Sequence, residues 1–187
     1  MAGGLPTASG ALFPALQTTY SLESAWRSRL HSHEYRERQS APEATVIRKY
    51  QPADCKDVLN VWARASALAH PFLSQEFMEL ERHNIPNVYL PMADTWVWEA
   101  DGHVVGFMSL LGNEVGAIFV DPEFHRSGIG RALMDRARAL RGELEVEVFE
   151  RNLLGRAFYA KLGFELMHQK VHDETGFEIM RLRLAAA

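Results

Sequence analysis

Residues 117–133 read Ala117-Ile-Phe-Val-Asp-Pro-Glu-Phe-His-Arg-Ser-Gly-Ile-Gly-Arg-Ala-Leu133. Ala117 to Val120 is apolar and β-prone, and Asp121-Pro122 ends it, because proline cannot donate to a sheet ladder. After a short link, Arg126-Ser-Gly-Ile-Gly-Arg131 is followed by apolar residues at Ile129, Leu133, Ala137 and Leu140, which is helical spacing. The segment therefore reads as strand, tight glycine turn, helix. Such a turn presents backbone N–H groups at the positive end of a helix dipole, where an anion is stabilised. Gly128 and Gly130 lack Cβ atoms, so a phosphate can approach the backbone, and Arg126 and Arg131 supply fixed positive charge. The expectation is a pyrophosphate cradle. A GxG turn alone reads equally well as a ligand-free helix entry. Two other cradles are excluded: no Gly-Lys-Ser/Thr follows, and Leu133 stands where the dinucleotide fingerprint needs a small residue.

Working outward, Glu114 to Val120 is preceded by a meander. Thr95 to Glu99 is a strand, Asp101-Gly102 a hairpin turn, Val104 to Leu111 the returning strand, and Gly112-Asn113 the next turn. After the helix, Leu144 to Phe149 alternates as a half-buried strand. A crossover through that helix makes it a parallel neighbour of Glu114–Val120. Asn152 is a good helix N-cap, with Leu154, Phe158 and Leu162 as the expected buried stripe and Gly163 as the C-terminal stop. Phe164 to Gln169 and Phe177 to Leu184 are closing strands. Upstream, Thr45 to Tyr50 is a strand, and Pro52 opens a helix with Val58, Trp62, Ala65 and Ala69 on its core face. Ser74 to His83 is a second helix and Asn87 to Pro91 an extended link. Residues 1–43 have no sustained period and are expected to be a flexible or helical extension, leaving 44–187 as the domain.

The chain of 187 residues can bury one sizeable core. At 47% apolar and 24% charged it has the composition of a folded domain. A net charge of −4 argues against a general nucleic-acid binder. The single cysteine, Cys55, excludes an internal disulfide framework and suits a reducing compartment. No apolar run approaches the ~18 residues of a membrane span, so a cytoplasmic protein is expected, with no membrane or nucleic-acid partner. The histidines show no metal-ligand spacing, and no metal is expected.

The element order, with a meander leading into one parallel crossover, resembles the GNAT (GCN5-related N-acetyltransferase) superfamily. Three motifs carry the resemblance. His125-Arg-Ser-Gly-Ile-Gly130 is similar to the family's acetyl-CoA pyrophosphate loop, with histidine where glutamine or arginine is usual. Asn152 and Tyr159 are similar to its Asn…Tyr pair, and Lys161-Leu-Gly-Phe164 to its entry into the sixth strand. The segments Ala69-His-Pro-Phe72 and Tyr89-Leu-Pro91 resemble a branch of small bacterial acetyltransferases. The likeness covers roughly residues 45 to 184.

The resemblance implies an α/β (α+β) fold: a mixed, mostly antiparallel central sheet, splayed where the fourth and fifth strands run parallel, flanked by helices. It implies acetyl-CoA as co-substrate and transfer of acetyl to a primary amine of a small molecule, peptide or protein, by direct attack in a ternary complex. His125, Arg126, Ser127, Gly128, Ile129, Gly130, Arg131 and Asn152 would hold the coenzyme, with Phe119 and Val120 amides meeting the oxyanion. Tyr159 is the implied general acid; one residue off the Phe158–Leu162 stripe, it is expected to face the cleft. Glu114, sixteen residues before Gly130, is at the offset of the histone-type base; Glu147, Glu99 or no dedicated base remain open. His70, Phe72 and Tyr89 fall where the family walls its acceptor pocket. The alternative is a non-catalytic acyl-CoA-binding or sensing module of the same shape; the presence of both Tyr159 and Glu114 favours the enzyme. Monomer and homodimer are both open at this level.

Overall fold

The computed structural model describes residues 46–186. The extension expected at 1–43 and its boundary lie outside the described residues. The described residues begin with β1 (Val46–Lys49), a 3-10 turn (Pro52–Asp54) and α1 (Cys55–Ala69). Arg48 donates to both carboxylate oxygens of Asp54 and to Glu99, tying the first strand to the helix start and to its neighbour strand. α2 (Gln75–Asn84) is capped by Ser74, whose Oγ accepts from the Phe77 amide at 3.2 Å.

The link expected to be extended is instead helical. A π-helical turn, Ile85–Tyr89, runs into one further turn, Leu90–Met92. Pro86 and Pro91 bias the preceding residue away from helix, which favoured the extended reading. The wider turn escapes that bias: the Leu90 amide reaches back to the Ile85 carbonyl, and no bond depends on a proline nitrogen.

Next come β2 (Asp94–Ala100), β3 (His103–Leu111) and β4 (Glu114–Val120), then α3 (Ile129–Arg141), β5 (Leu144–Phe149), α4 (Leu153–Leu162), β6 (Glu165–Val171) and β7 (Glu178–Leu184). One seven-stranded sheet runs in the order β1-β2-β3-β4-β5-β7-β6. Every pairing is antiparallel except β4–β5. The expected mixed sheet with a parallel fourth and fifth strand is therefore what forms.

Each sheet face has its own core. Strand alternation sends Phe107 to one and Met108 to the other. α1 contributes Val58, Val61 and Trp62 to the first; Met78 of α2 packs at its edge. α3 and α4 contribute Ile129, Leu133, Met134, Ala137 and Tyr159 to the second. Fully buried side chains such as Leu133, Met134 and Val58 contribute about 1.5–3 kcal/mol each.

β4 and β5 pair only at Glu114–Glu145 and Val115–Val146. Beyond that point they are unpaired, and the gap opens toward Asp121 and the glycine turn. Gly116 has no partner on β3: Ser109 faces Ala117 and Leu110 faces Val115, so β4 carries one extra residue.

Candidate active site

The glycine turn is built as a nest. Arg126 (φ +65°) and Gly128 (φ +91°) both take left-handed backbone conformations. The N–H groups of Arg126, Gly128, Ile129, Gly130 and Arg131 have no acceptor among the described residues. Five donors converging at a helix start suit an anion with several oxygens. The Arg126 and Arg131 side chains are exposed and make no ion pair among the described residues, so their charge is available to the same anion.

Two expectations about this loop change. The His125 ring contacts the Val120 carbonyl through Nε2 at 3.0 Å, and the Ser127 hydroxyl donates to the Phe124 carbonyl at 2.6 Å. Both side chains brace the loop rather than face an anion. The two glycines also differ. A Cβ at Gly128 would meet open space, so its positive φ is what calls for glycine; a Cβ at Gly130 would lie 3.2 Å from the Phe158 ring. Gly130 therefore lets α3 approach α4, and Gly128 allows the left-handed turn into α3.

The edge of β4 that faces the gap follows from hydrogen-bond parity. Asp121 donates to the Val105 carbonyl at 2.9 Å, which makes 105–121 a hydrogen-bonded pair. Antiparallel pairs alternate, so Phe107–Phe119 is hydrogen-bonded and Phe119 is spent on the β3 ladder. Ile118 and Val120 point their amides into the splay, and the Val120 carbonyl reached by His125 confirms that direction. Of the two amides expected at the gap, Val120 faces it and Phe119 does not; Ile118 takes that place. Ile118 was not legible in the sequence because the extra residue at Gly116 shifts the alternation.

The Phe119 side chain lines the α1 face of the gap. It stacks on Phe107 at 5.6 Å and meets His70 at 6.3 Å. His70, at the end of α1, also meets Phe149 of β5 at 5.8 Å, so its ring spans the two splayed strands. Burial pushes its pKa down to about 4, leaving it neutral at pH 7. Asn152 caps α4 with Oδ1 on the Gly155 amide at 2.8 Å, which leaves Nδ2 to donate to His70 Nε2 at 3.0 Å. Nε2 is therefore the acceptor and Nδ1 carries the proton.

Phe72 meets Phe149 and Phe177 at 5.6 and 5.3 Å, and His172 meets Phe149 and Phe77. His70 and Phe72 therefore come together as expected. Tyr89 stands apart, bonded to Glu81 at 2.7 Å, with burial raising its pKa to about 12. The rings of Phe149 and Phe177 extend the wall; strand alternation in 145–149 was the available signal.

Below these rings, Glu114, Glu145 and Glu147 gather around Arg181. Its guanidinium reaches them at 2.7, 2.6 and 3.4 Å, and Lys170 reaches Glu147 at 2.8 Å. Glu114 is thus neither isolated nor simply facing water. Glu99 is bound to Arg48 on the far side of the sheet order, outside this group.

Tyr159 lies on the opposite face. Contrary to the expected stripe, Leu154 is 51% exposed, Phe158 and Leu162 are half-buried, and Tyr159 is buried at 7%. Its ring packs against Phe158 and Phe164. A helix entering at the N-cap angle set by Asn152 turns the 159 position, not 154, toward the sheet. Its hydroxyl has no hydrogen-bond partner among the described residues, and burial raises its pKa. Among the described residues, no group of three His, Cys, Asp or Glu could hold a metal ion, and no helix is long and apolar enough to cross a membrane.

The architecture has known counterparts. Residues 91–166 match the family model described as an acetyltransferase (GNAT) domain. The chain is 33% identical over 131 residues to the peptidyl-lysine N-acetyltransferase YiaC of Escherichia coli K12, covering 70% of this chain and 90% of that protein. It is 33% identical over 141 residues to the peptidyl-lysine N-acetyltransferase YjaB of the same organism, covering 74% and 95%. The solution structure of apo YjaB from E. coli superposes with a TM-score of 0.70 at 29% identity, over 78% of this chain and all of that one. The Thermoplasma acidophilum PaiA N-acetyltransferase, crystallised in complex with coenzyme A, shares the fold at a TM-score of 0.61 and 20% identity, over 78% of this chain and all of that one.

Proposed function

Because this chain belongs to the GNAT family of acetyltransferases, we propose that it transfers the acetyl group of acetyl-CoA to the side-chain amine of a peptidyl lysine by direct attack. The observation that carries this reading is the row of unpartnered amides, from the nest at 126–131 to Val120 and Ile118, which ends in the open splay. Two relatives named peptidyl-lysine N-acetyltransferases support the acceptor, and relatives crystallised with coenzyme A or acetyl-CoA support the donor.

The nest and its two arginines hold the diphosphate, and the thioester lies along the gap. Ile118 and Val120 donate to the carbonyl oxygen as it becomes an oxyanion. The lysine nitrogen forms its bond to the carbonyl carbon, and collapse of the tetrahedral centre breaks the carbon–sulfur bond. A free lysine, with a pKa near 10.4, is mostly protonated at pH 7, so a base is needed. Glu114 is that base, with Glu147 beside it on Arg181. Arg181 is paired with both carboxylates, and the lysine ammonium competes with it for them. Tyr159, protonated at neutral pH, gives its phenolic proton to the departing sulfur, and the proton shed by the attacking nitrogen restores it through solvent. His70 and the phenylalanines around it exclude water and guide the lysine stem. Asn152 acts through His70 and through its cap.

The test is acetyl-CoA with two blocked peptides, one offering only a lysine amine and one only an N-terminal amine, followed by free-thiol release and mass spectrometry. Lysine-dependent thiol release with acetylated peptide is expected. Modification of the N-terminal amine alone would reassign the acceptor. No release above hydrolysis with any amine would leave the binding-only alternative standing.

A further inference from the structure

We propose that Arg151 determines acceptor specificity by reading a carboxylate next to the reacting lysine. This rests on the lysine-acetyltransferase reading above. The Arg151 guanidinium carbon lies 4.8 Å from the centroid of Phe72 and 4.9 Å from that of Phe177. Its charge therefore rests against two rings. It is exposed and makes no ion pair or side-chain hydrogen bond among the described residues. By contrast, Arg48 and Arg181 are each engaged by acidic side chains. The Arg151 charge is held in place yet left with its donors free.

Its position gives that freedom a use. Phe72 and Phe177 belong to the ring wall that continues through Phe149 to His70 and the mouth of the splay. On the same face of β5, Glu147 lies two residues, or about 7 Å, below Phe149. An acceptor crossing this wall meets carboxylates at its inner end and a lone guanidinium at its outer end. A lysine suits the inner end: its four-carbon stem runs along the rings and its ammonium reaches the glutamates. The complementary feature at the outer end is a carboxylate, which a guanidinium can bind through two parallel hydrogen bonds. The acceptor class is therefore a lysine with an Asp or Glu close in sequence, rather than a lysine in a basic run.

The test uses the full chain and N-blocked, C-amidated peptides with one central lysine. Glutamate, glutamine or arginine is placed in turn at each of the three positions on either side. The readout is the ratio of kcat/KM between glutamate and glutamine peptides, with the KM for acetyl-CoA as reference. In the wild-type protein glutamate at one or two adjacent positions is expected to raise kcat/KM roughly tenfold, corresponding to about 1.4 kcal/mol. Arg151→Gln should bring that ratio to about one, and Arg151→Glu should invert it in favour of arginine. The ratios should fall as salt is raised, because the contact is at the surface. A wild-type ratio near one at every position overturns the proposal without touching the lysine-acetyltransferase reading, and needs no variant. A rise in acetyl-CoA KM in Arg151→Gln, with the peptide ratio intact, overturns it by assigning the guanidinium to the coenzyme phosphates. If no peptide is acetylated, it falls together with the reading it depends on.

Discussion

Tyr159 shows how one residue can satisfy two demands. Its ring is a core side chain, and its hydroxyl is the one polar atom that this core position delivers without a hydrogen-bond partner among the described residues. Tyr159→Phe keeps the ring and removes only that oxygen. The variant is expected to lose about a hundredfold or more in kcat with the KM for acetyl-CoA almost unchanged. Its Tm should stay close to that of the wild type, since the ring keeps its packing against Phe158 and Phe164. Steady-state kinetics beside calorimetry separate the two effects. A wild-type kcat would remove the hydroxyl from the chemistry.

At the scale of elements, the contact between the end of α1 and the start of α4 joins residues 82 positions apart through one hydrogen bond, Asn152 to His70. That bond needs an unprotonated Nε2, so it is linked to pH. The folded pKa of about 4 lies below the ordinary 6.5. In that window the unfolded chain binds more protons, so the stability this histidine contributes is complete above pH 6.5 and declines as pH falls toward 4. The span of the shift sets an upper limit of about 3 kcal/mol. Urea titrations at steps between pH 7 and 5, above the carboxylate range, should show stability falling with acidity. In His70→Gln the slope over that interval should flatten. An unchanged slope would place the titrating group elsewhere.

At the largest scale, the described residues form one sheet with two cores that share β3 and β4. Val58→Ala on one face and Leu133→Ala on the other each remove a fully buried side chain. They are expected to cost about 1–3 and 2–5 kcal/mol, to add in the double variant, and to leave a single unfolding transition by calorimetry. This architecture was largely readable in advance. The meander, the glycine turn and the alternation of 144–149 are local signals, and each strand, hairpin and crossover drawn from them is present. What escaped depends on geometry between distant segments. The burial of Tyr159 is set by how α4 lies on the sheet. The helical turns at 85–92 depend on a π-type bond that skips both prolines. The gathering of Glu114, Glu145 and Glu147 on Arg181 needs β4, β5 and β7 side by side.

The unpaired Gly116 in β4 reaches further than its size suggests. It works as a half-step in the strand, so the chain before it and the chain after it keep time with different neighbours. Val115 and Ile118 look toward α3 and α4, whereas Ala117 and Phe119 look toward α1. Excising that residue would shorten the sheet hardly at all but would exchange the tenants of its two sides. Ile118 and Val120 would be carried to the α1 face, and Phe119 would be driven beneath α3 and α4. Here the number of residues carries more meaning than their identity: a substitution alters a contact, and a deletion reverses the board.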